Sequence, residues 1–329
     1  MNKRIPSSPP LIEPVDYLVN RPLWSVMIPT YNCSAYLRQT LESVLQQALA
    51  PDKMQIEVID DASTDADIEQ LVAEIGKGRI GFFKQPVNQG SLRNFETCLN
   101  RSRGKWIHIL HGDDVVSKGF YNEIESLFVA YPEAGAAYTG FWHFNEESGA
   151  RYPNETVLTT PGIINDWLTI IAQGQKLQPP SIVVKRSVYE KLGGFFGVHY
   201  GEDWEMWVRI AAHYPVAHSP ERLAQYRIHN NNISSKYFLS GQHIKDITFV
   251  IKTIQQYLPP SQRKELMNVA KRNWSHYFAK TSDLVYGGYK SPPQALVQAK
   301  MAFILHKNKT SLFFLLKTWL KLTLRYKMS

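Results

Sequence analysis

The sequence predicts an α/β fold: a mostly parallel sheet flanked by helices, followed by a helical C-terminal extension. Three observations carry this expectation. Short apolar runs alternate with helix-length amphipathic stretches between residues 24 and 131, the pattern of successive strand-helix-strand units. Four of the predicted strands end in polar clusters, where open sheets of this class bind ligands. From about residue 240 to 329 the pattern is helical.

Residues 1–22 carry five prolines and no periodicity, which suggests a tail laid over the surface or left loose. The main domain is expected over 23–235 and a helical region over 236–329. WSVMIP (24–29) reads as the first strand and AYLRQTLESVLQQA as the helix after it. QIEVID (55–60), DADIEQLVAEIG and IGFFKQ (80–85) continue as strand, helix and strand. SLRNFETCLNRS, KWIHIL (105–110) and KGFYNEIESLFVAY then supply helix, strand and helix. AAYTGFWHF reads as a further strand, residues 144–160 as a polar loop, and PPSIVVK (179–185) as a strand again.

Composition narrows the class. Of 329 residues, 44% are hydrophobic and 12% aromatic, too apolar for disorder. Cys33 and Cys98 are the only cysteines, which excludes a disulfide scaffold and a cysteine zinc site and fits a reducing compartment. The balance of 37 basic and 29 acidic residues, +8, favours polyanionic partners without choosing among them. No segment has the roughly 18 uninterrupted apolar residues of a membrane span, and the basic start lacks the apolar stretch of a signal peptide. A cytoplasmic protein is expected, and the four Asn-x-Ser/Thr spellings carry no meaning there.

Gly76, Gly78 and Gly81 spell the dinucleotide-binding fingerprint, but they close a helix and precede a strand, so a helix cap is the expected role. The clusters at strand ends are more informative. They are Thr30, Tyr31 and Asn32; Asp60 to Asp65; Asn88, Gln89 and Gly90; and His111, Gly112, Asp113 and Asp114. Singly, each has a plain explanation, such as Asp65 capping the second helix or Asn88–Gly90 forming a turn.

Adjacent carboxylates such as Asp113 and Asp114 repel each other unless a cation lies beside them. Hard oxygen ligands imply Mg²⁺ or Mn²⁺, ions commonly shared with substrate phosphates; a solvated turn with two acids is the alternative. Glu202 and Asp203, before the amphipathic run EMWVRIAAHY, either favour the positive end of a helix or supply a general base. His108 and His111 fall on opposite faces of a strand, so joint metal ligation by both is not expected.

Over residues 23 to 235 the chain resembles the family 2 glycosyltransferases of GT-A fold. The resemblance rests on SVMIPTYN, VIDDASTD, NQGSLRNFETCLNRSRGKWIHILHGDD, LGGFFGVHYGEDWEMWVRI and YRIHNNNIS, in that order. It implies that Pro29, Thr30 and Tyr31 line a nucleoside pocket, that Asp61 reads the base edge and that Arg93 lies near the base or phosphates. It implies Asp113 on the ribose or metal, Asp114 on the metal, His229 near the metal or diphosphate, and Asp203 as the base that deprotonates the acceptor hydroxyl. Glu202 and Trp204 are expected on the acceptor side. One departure stands out: many members have an acid where this chain has His111, which leaves Asp113 and Asp114 as the metal pair, with Asp114 the firmer ligand.

The resemblance implies a metal-dependent, inverting transfer of a sugar from a nucleotide-diphosphate donor, expected to be a UDP-sugar. The expected acceptor is a hydroxyl of a glycan or lipid-linked saccharide, in cell-surface polysaccharide synthesis. A nucleotidyltransferase making the activated sugar should show a Gly-rich basic loop after the first strand, which PTYNCSAY is not. A nucleotide-sugar binding module would bind donor without turnover. Nucleic acid is not an expected partner, because the basic residues gather in tails and C-terminal helices instead of forming a basic and aromatic patch on a sheet face.

In the C-terminal run SLFFLLKTWLKLTLRYK, Lys317, Lys321 and Arg325 share one stripe beside Leu312, Phe313, Leu316, Trp319 and Leu320. The run admits two readings: a helix packed on its own domain, or one lying in an anionic membrane interface at the cytoplasmic face.

Overall fold

The strand Trp24–Thr30 (β1) is buried at every position, because its flanks are covered by two parallel neighbours, Met54–Asp60 (β2) and Trp106–Ile109 (β4). The structure is a computed structural model describing residues 4–16, 20–229, 237 and 240–324. Gly81–Lys84 (β3) pairs parallel with β2 and forms that edge. This parallel half follows the alternation of the sequence, each crossover carried by a helix: Ser34–Leu45 (α1), Ile68–Gly76 (α2) and Ser91–Arg101 (α3). The second helix ends at Gly76 with Lys77 and Gly78 at positive φ, so the glycine-rich run is a helix cap and turn.

The other half of the sheet is mixed. Beyond β4 the order runs Ile182–Lys185 (β9), Ala136–Asn145 (β6), Val216–Ile228 (β10) and Val115–Val116 (β5). β9 is antiparallel to both β4 and β6, whereas β6 and β10 are parallel. The polar excursion contains Arg151–Pro153 (β7), hairpinned onto β6, and Gly162–Ile163 (β8) pairs with β10. The 13-residue β10 has no clean alternation, since Pro220 and two register shifts between Ser219 and Ala224 interrupt it. Phe120–Ala130 (α4) packs on β6 and β10; Trp167–Ala172 (α5) and Arg186–Leu192 (α6) complete this part of the chain.

Two compact units partition the chain: Met1–Trp167, Lys176–Gly197 and His213–Ile228 form one; Leu168–Gln175, Val198–Ala212 and His229–Ser329 the other. The first holds the whole sheet. Trp24, at the start of β1, is fully buried, edge-on to Trp106 and Tyr121 at 5.0 and 5.1 Å, and a buried side chain of this size contributes about 3 kcal/mol. The proline-rich tail is tied down: Ile12 is fully buried, and Gly197 and Gly194 donate to Pro6 O and Pro10 O at 2.9 and 2.8 Å. Gly193, at φ +80, has room for this strap only without a side chain, since a Cβ would meet Pro9 at 2.8 Å.

The second unit is helical: Glu202–Ala211 (α7), Gln242–Thr253 (α8), Arg263–Gly287 (α9), Pro292–Leu305 (α10) and Lys309–Thr323 (α11). Trp204 packs on Trp274, which stacks on Phe278. No described helix is long and apolar enough to cross a membrane. α11 opens with a capping box between Asn308 and Ser311, so Asn308, the first residue of one of the Asn-x-Ser/Thr spellings, has a structural role. Its Ser311 and Thr318 point inward, and Lys317 and Lys321 both pair with Asp283. Leu312, Phe313, Leu316, Trp319, Leu320 and Leu324 remain exposed; Arg325 of the predicted stripe lies outside the described residues.

Candidate functional site

The polar clusters that end β1, β2, β3 and β4 interlock at one edge of the sheet. Asp61 N–H donates to Thr30 O at 2.8 Å, and Gly112 N–H to Pro29 O at 3.1 Å. Asn32, at φ 48, accepts from Thr64 N–H at 2.8 Å and donates from its own backbone to Ser63 Oγ at 3.0 Å. Asp60 accepts from Ser63 N–H at 3.1 Å. Pro29 and Thr30 are buried beneath this loop and Tyr31 is exposed above it.

Asp61 is committed to the neighbouring turn. Its carboxylate accepts from Asn88 Nδ2, Gln89 N–H and Gly90 N–H at 2.9, 2.6 and 2.8 Å. Burial raises its pKa, while the two backbone donors oppose the rise. Arg93, in the first turn of α3, pairs with Glu96 at 2.6 Å. Asp65 does not cap the second helix: Asp67 does, accepting from Gln70 N–H at 3.0 Å, and Asp65 accepts from Ser34 N–H at 2.9 Å to open α1. An Asp two residues nearer the helix reaches its free N–H groups first.

The loop after β4 carries the densest charge. Thr40 Oγ1 donates to Gly112 O and Asp114 O at 3.0 and 2.8 Å. Gly112 has to be small, because a Cβ there would stand 2.9 Å from Cys33 Sγ and 3.0 Å from Thr30 Oγ1. Asp114 is 1% exposed. Its Oδ1 accepts from Arg227 N–H at 2.9 Å, while its buried Oδ2 has no hydrogen-bond partner. Burial, and next the charge of Asp113, hold the Asp114 pKa well above the carboxylate range.

Ligand atoms of His111, Asp113 and Asp114 all lie within 4.8 Å of one another. An orphaned, buried carboxylate oxygen beside a second carboxylate and an imidazole suits a divalent cation, which would neutralise the pair and satisfy the unmet acceptor. The residues present therefore fit the metal that the sequence implies. His108, on the opposite face, is fully buried between Tyr121 OH and Pro180 O, at 3.3 and 3.1 Å from its ring nitrogens. It belongs to the core.

Arg227 was not singled out by motif reading. It is 2% exposed, and Nε donates to Asp113 O at 2.7 Å and Nη2 to Gln39 Oε1 at 2.6 Å. Nη1 pairs with Glu146, and the guanidinium lies over Tyr36, 5.0 Å from the ring centre. Only its place beside His229 in YRIH marked it. His229 is itself buried directly after β10; the rest of that motif, from residue 230 onward, lies outside the described residues.

In the second unit, Gly201, at φ 93, leads into α7, whose first turn carries Glu202, Asp203 and Glu205. Asp203 accepts from Trp204 N–H at 2.7 Å and from Gln175 Nε2. Desolvation, opposed by these donors, pushes its pKa up to about 6. Glu202 is raised well above its ordinary value by burial and then by Asp203. Trp204 is fully buried with its indole N–H on Ile171 O at 2.7 Å; it supports the helix start from within the core.

Comparison with known proteins agrees with this layout. Residues 25–193 match the family described as Glycosyl transferase family 2. An uncharacterized glycosyltransferase of Haemophilus influenzae is 25% identical over 230 residues, 66% of this chain and 69% of the relative. A second from the same organism is 29% identical over 170 residues, 51% of this chain and 64% of the relative. Among solved structures, S. aureus TarS 1-349 in complex with UDP-GlcNAc shares 13% identity at TM-score 0.64, covering 93% of each chain. The mannosyltransferase PcManGT from Pyrobaculum calidifontis, in complex with GDP-Man and Mn2+, shares 17% identity at TM-score 0.56, over 92% of this chain and 81% of that one. With the family match spanning half of its length and the interlocked strand-end loops in place, this chain belongs to glycosyl transferase family 2 and is a glycosyltransferase.

Proposed function

We propose that the protein transfers a sugar from a nucleotide-diphosphate donor, a UDP-sugar first among candidates, to a hydroxyl of a glycan or lipid-linked saccharide, with inversion. The observation that carries this reading is the orphaned Asp114 carboxylate grouped with Asp113 and His111 at the strand ends. Pro29, Thr30, Tyr31 and Asp61 would receive the nucleoside, with Arg93 near the base or phosphates and Asp113 on the ribose or metal. TarS and PcManGT are solved with UDP-GlcNAc and with GDP-Man and Mn2+, which supports a nucleotide-sugar donor here.

Mg²⁺ or Mn²⁺ bound by Asp114, with Asp113 and with His229 approaching the metal or diphosphate, would neutralise charge growing on the leaving diphosphate. Burial and the neighbouring Asp113 charge disfavour the charged form of Asp114, a cost that a bound cation would offset. Asp203 serves as the base for the acceptor hydroxyl. A pKa of about 6 leaves it ionised at neutral pH yet basic enough to take a proton. Glu202 is raised as well, by burial and then by the charge of Asp203, so the two carboxyls titrate as a coupled pair. Attack opposite the leaving group inverts the anomeric centre.

We also read α11 as lying against anionic lipid. Its five exposed apolar side chains, with Leu324 directly after it, line one side of the helix, and after Asp283 the sequence has eight Lys and Arg and no acid. Such charge repels a second copy of the same surface and favours an anionic one. Lys317 and Lys321 are partly neutralised by Asp283, so the apolar face carries more of the binding than the basic stripe does. This placement fits an acceptor held at a membrane and a role in cell-surface polysaccharide synthesis.

The deciding experiment is a panel of UDP-, GDP-, CDP- and dTDP-sugars with Mn²⁺, reading released nucleoside diphosphate. Release from one preferred donor supports the reading. Binding without release would make the protein a nucleotide-sugar binding module, and pyrophosphate production from a nucleoside triphosphate would make it a nucleotidyltransferase.

A further inference from the structure

We propose that His111 is a nitrogen ligand of the metal site and gives it a preference for Mn²⁺ over Mg²⁺, an inference that rests on the metal-dependent reading above. Its Nδ1 stands 4.0 Å from Asp114 Oδ2, the oxygen with no hydrogen-bond partner. Two ligands of one ion at bond lengths near 2.1 Å are separated by roughly 3 to 4.2 Å, so the gap suits a shared cation. A direct hydrogen bond across that gap is too long to form.

The ring is also held in place. It stacks on Phe95 with centres 5.3 Å apart and planes 7° from parallel, and Phe95 is itself braced edge-on by Phe195 at 5.4 Å. His111 is therefore packed on one face with its Nδ1 directed toward the carboxylates. The loop brings it there because Gly112 lies against Pro29 and Thr30 and the chain turns, Asp114 N–H donating to His111 O at 3.0 Å.

The chemistry follows from the donor set. Two carboxylates and a neutral imidazole balance a divalent charge, whereas a third acid would leave one negative charge in excess. Mn²⁺ accepts a nitrogen ligand beside carboxylates more readily than Mg²⁺, which demands near-ideal octahedral oxygen coordination and keeps its waters. Replacing an acid by His at this position thus shifts selectivity from Mg²⁺ toward Mn²⁺.

The test uses the full-length protein, Mn²⁺ alone and Mn²⁺ with UDP, and electron paramagnetic resonance. Bound Mn²⁺ should show a ¹⁴N coupling of an imidazole ligand both in the wild type and in His229→Ala, in which His111 is the imidazole left beside the carboxylates, and the His111 variants are read in the His229→Ala background. His111→Ala should lose that coupling and bind Mn²⁺ about tenfold more weakly, and His111→Asp should lose it while narrowing the Mn²⁺ to Mg²⁺ affinity ratio by a similar factor. Bound Mn²⁺ without ¹⁴N coupling, or a coupling and an affinity ratio that survive in His111→Ala, overturns the role of His111. Wild-type protein that binds no Mn²⁺ under either condition overturns the metal-dependent reading itself, a result distinct from the first.

Discussion

The backbone N–H of Arg227 donates to Oδ1 of Asp114 at 2.9 Å, while the other oxygen of that buried carboxylate has no hydrogen-bond partner. One strand thus fixes the direction of an acid supplied by another, and leaves one oxygen for a ligand. The Arg227 side chain adds a second hold through Asp113 O, and ties the loop to Gln39 and Glu146. A carboxylate kept reactive in this way depends on a frame that does not give.

Asp114→Asn should abolish transfer and Mn²⁺ binding while leaving the fold intact. A neutral amide keeps the shape and can still accept from Arg227 N–H, but cannot replace a charged metal ligand. Unchanged turnover without divalent metal, with native circular dichroism, would remove Asp114 from the site.

Arg227→Ala should destabilise the first unit by about 2 kcal/mol, since it removes a buried side chain and leaves the Asp113 carbonyl without its donor. Denaturant unfolding measures the loss. Because the network holds the loop of Asp113 and Asp114, Mn²⁺ affinity should fall as well, and Arg227→Lys should recover stability only in part, having a single ammonium in place of a fork.

Asp203→Asn should lower turnover on the order of 10² or more with donor affinity nearly unchanged. In the wild type, activity should rise with pH through about 6 and level off above it, the limb belonging to the coupled Glu202 and Asp203 pair. The stability consequence has the opposite sign. A folded-state pKa above the ordinary 3.8 means that this group's contribution is full below that value and is lost as pH rises through about 6. Urea unfolding of wild type against Asp203→Asn at pH 4 and pH 7 should show the wild type losing its relative advantage at the higher pH.

Gly112→Ala should cost about 1–3 kcal/mol and reduce donor affinity, because the added methyl has to displace Cys33 Sγ or Thr30 Oγ1. The pairing with Cys33→Ala should recover part of the stability. Equal thermal stability of Gly112→Ala and wild type would show that the loop yields freely.

Leu316→Gln, Trp319→Gln and Leu320→Gln combined should release the protein from anionic vesicles in flotation without changing donor hydrolysis or thermal stability, since all three side chains are exposed. Raising salt should weaken binding less than this triple change does. Wild-type protein that ignores phosphatidylserine vesicles would assign α11 a purely structural role.

Much of the parallel half of the fold was legible because it is written in local periodicity. Runs such as WSVMIP and QIEVID read as buried strands, and the amphipathic stretches between them as helices, since the periods of 2 and 3.6 belong to single elements. β10 was harder to read. Its bulges and Pro220 break the period, and its burial comes from β6 beside it. The polar clusters pointed to one edge for a related reason: parallel strands joined by helices must all end on the same side.

The sequence by itself determined the order of the strand-end loops and the family they belong to, and it singled out the acids Asp113, Asp114, Glu202 and Asp203. Tertiary structure alone decided how those groups are held. It put Arg227 on a loop more than a hundred positions earlier, seated His111 against Phe95 beside the carboxylates, gave Asp65 to α1 in place of α2, and set Lys317 and Lys321 against Asp283. Spacing along the chain specifies which face of a helix or strand a residue occupies. Which partner waits across that face is set by packing between elements distant in sequence, and there the upward shift of the Asp114 pKa and the pairing of the two lysines arise.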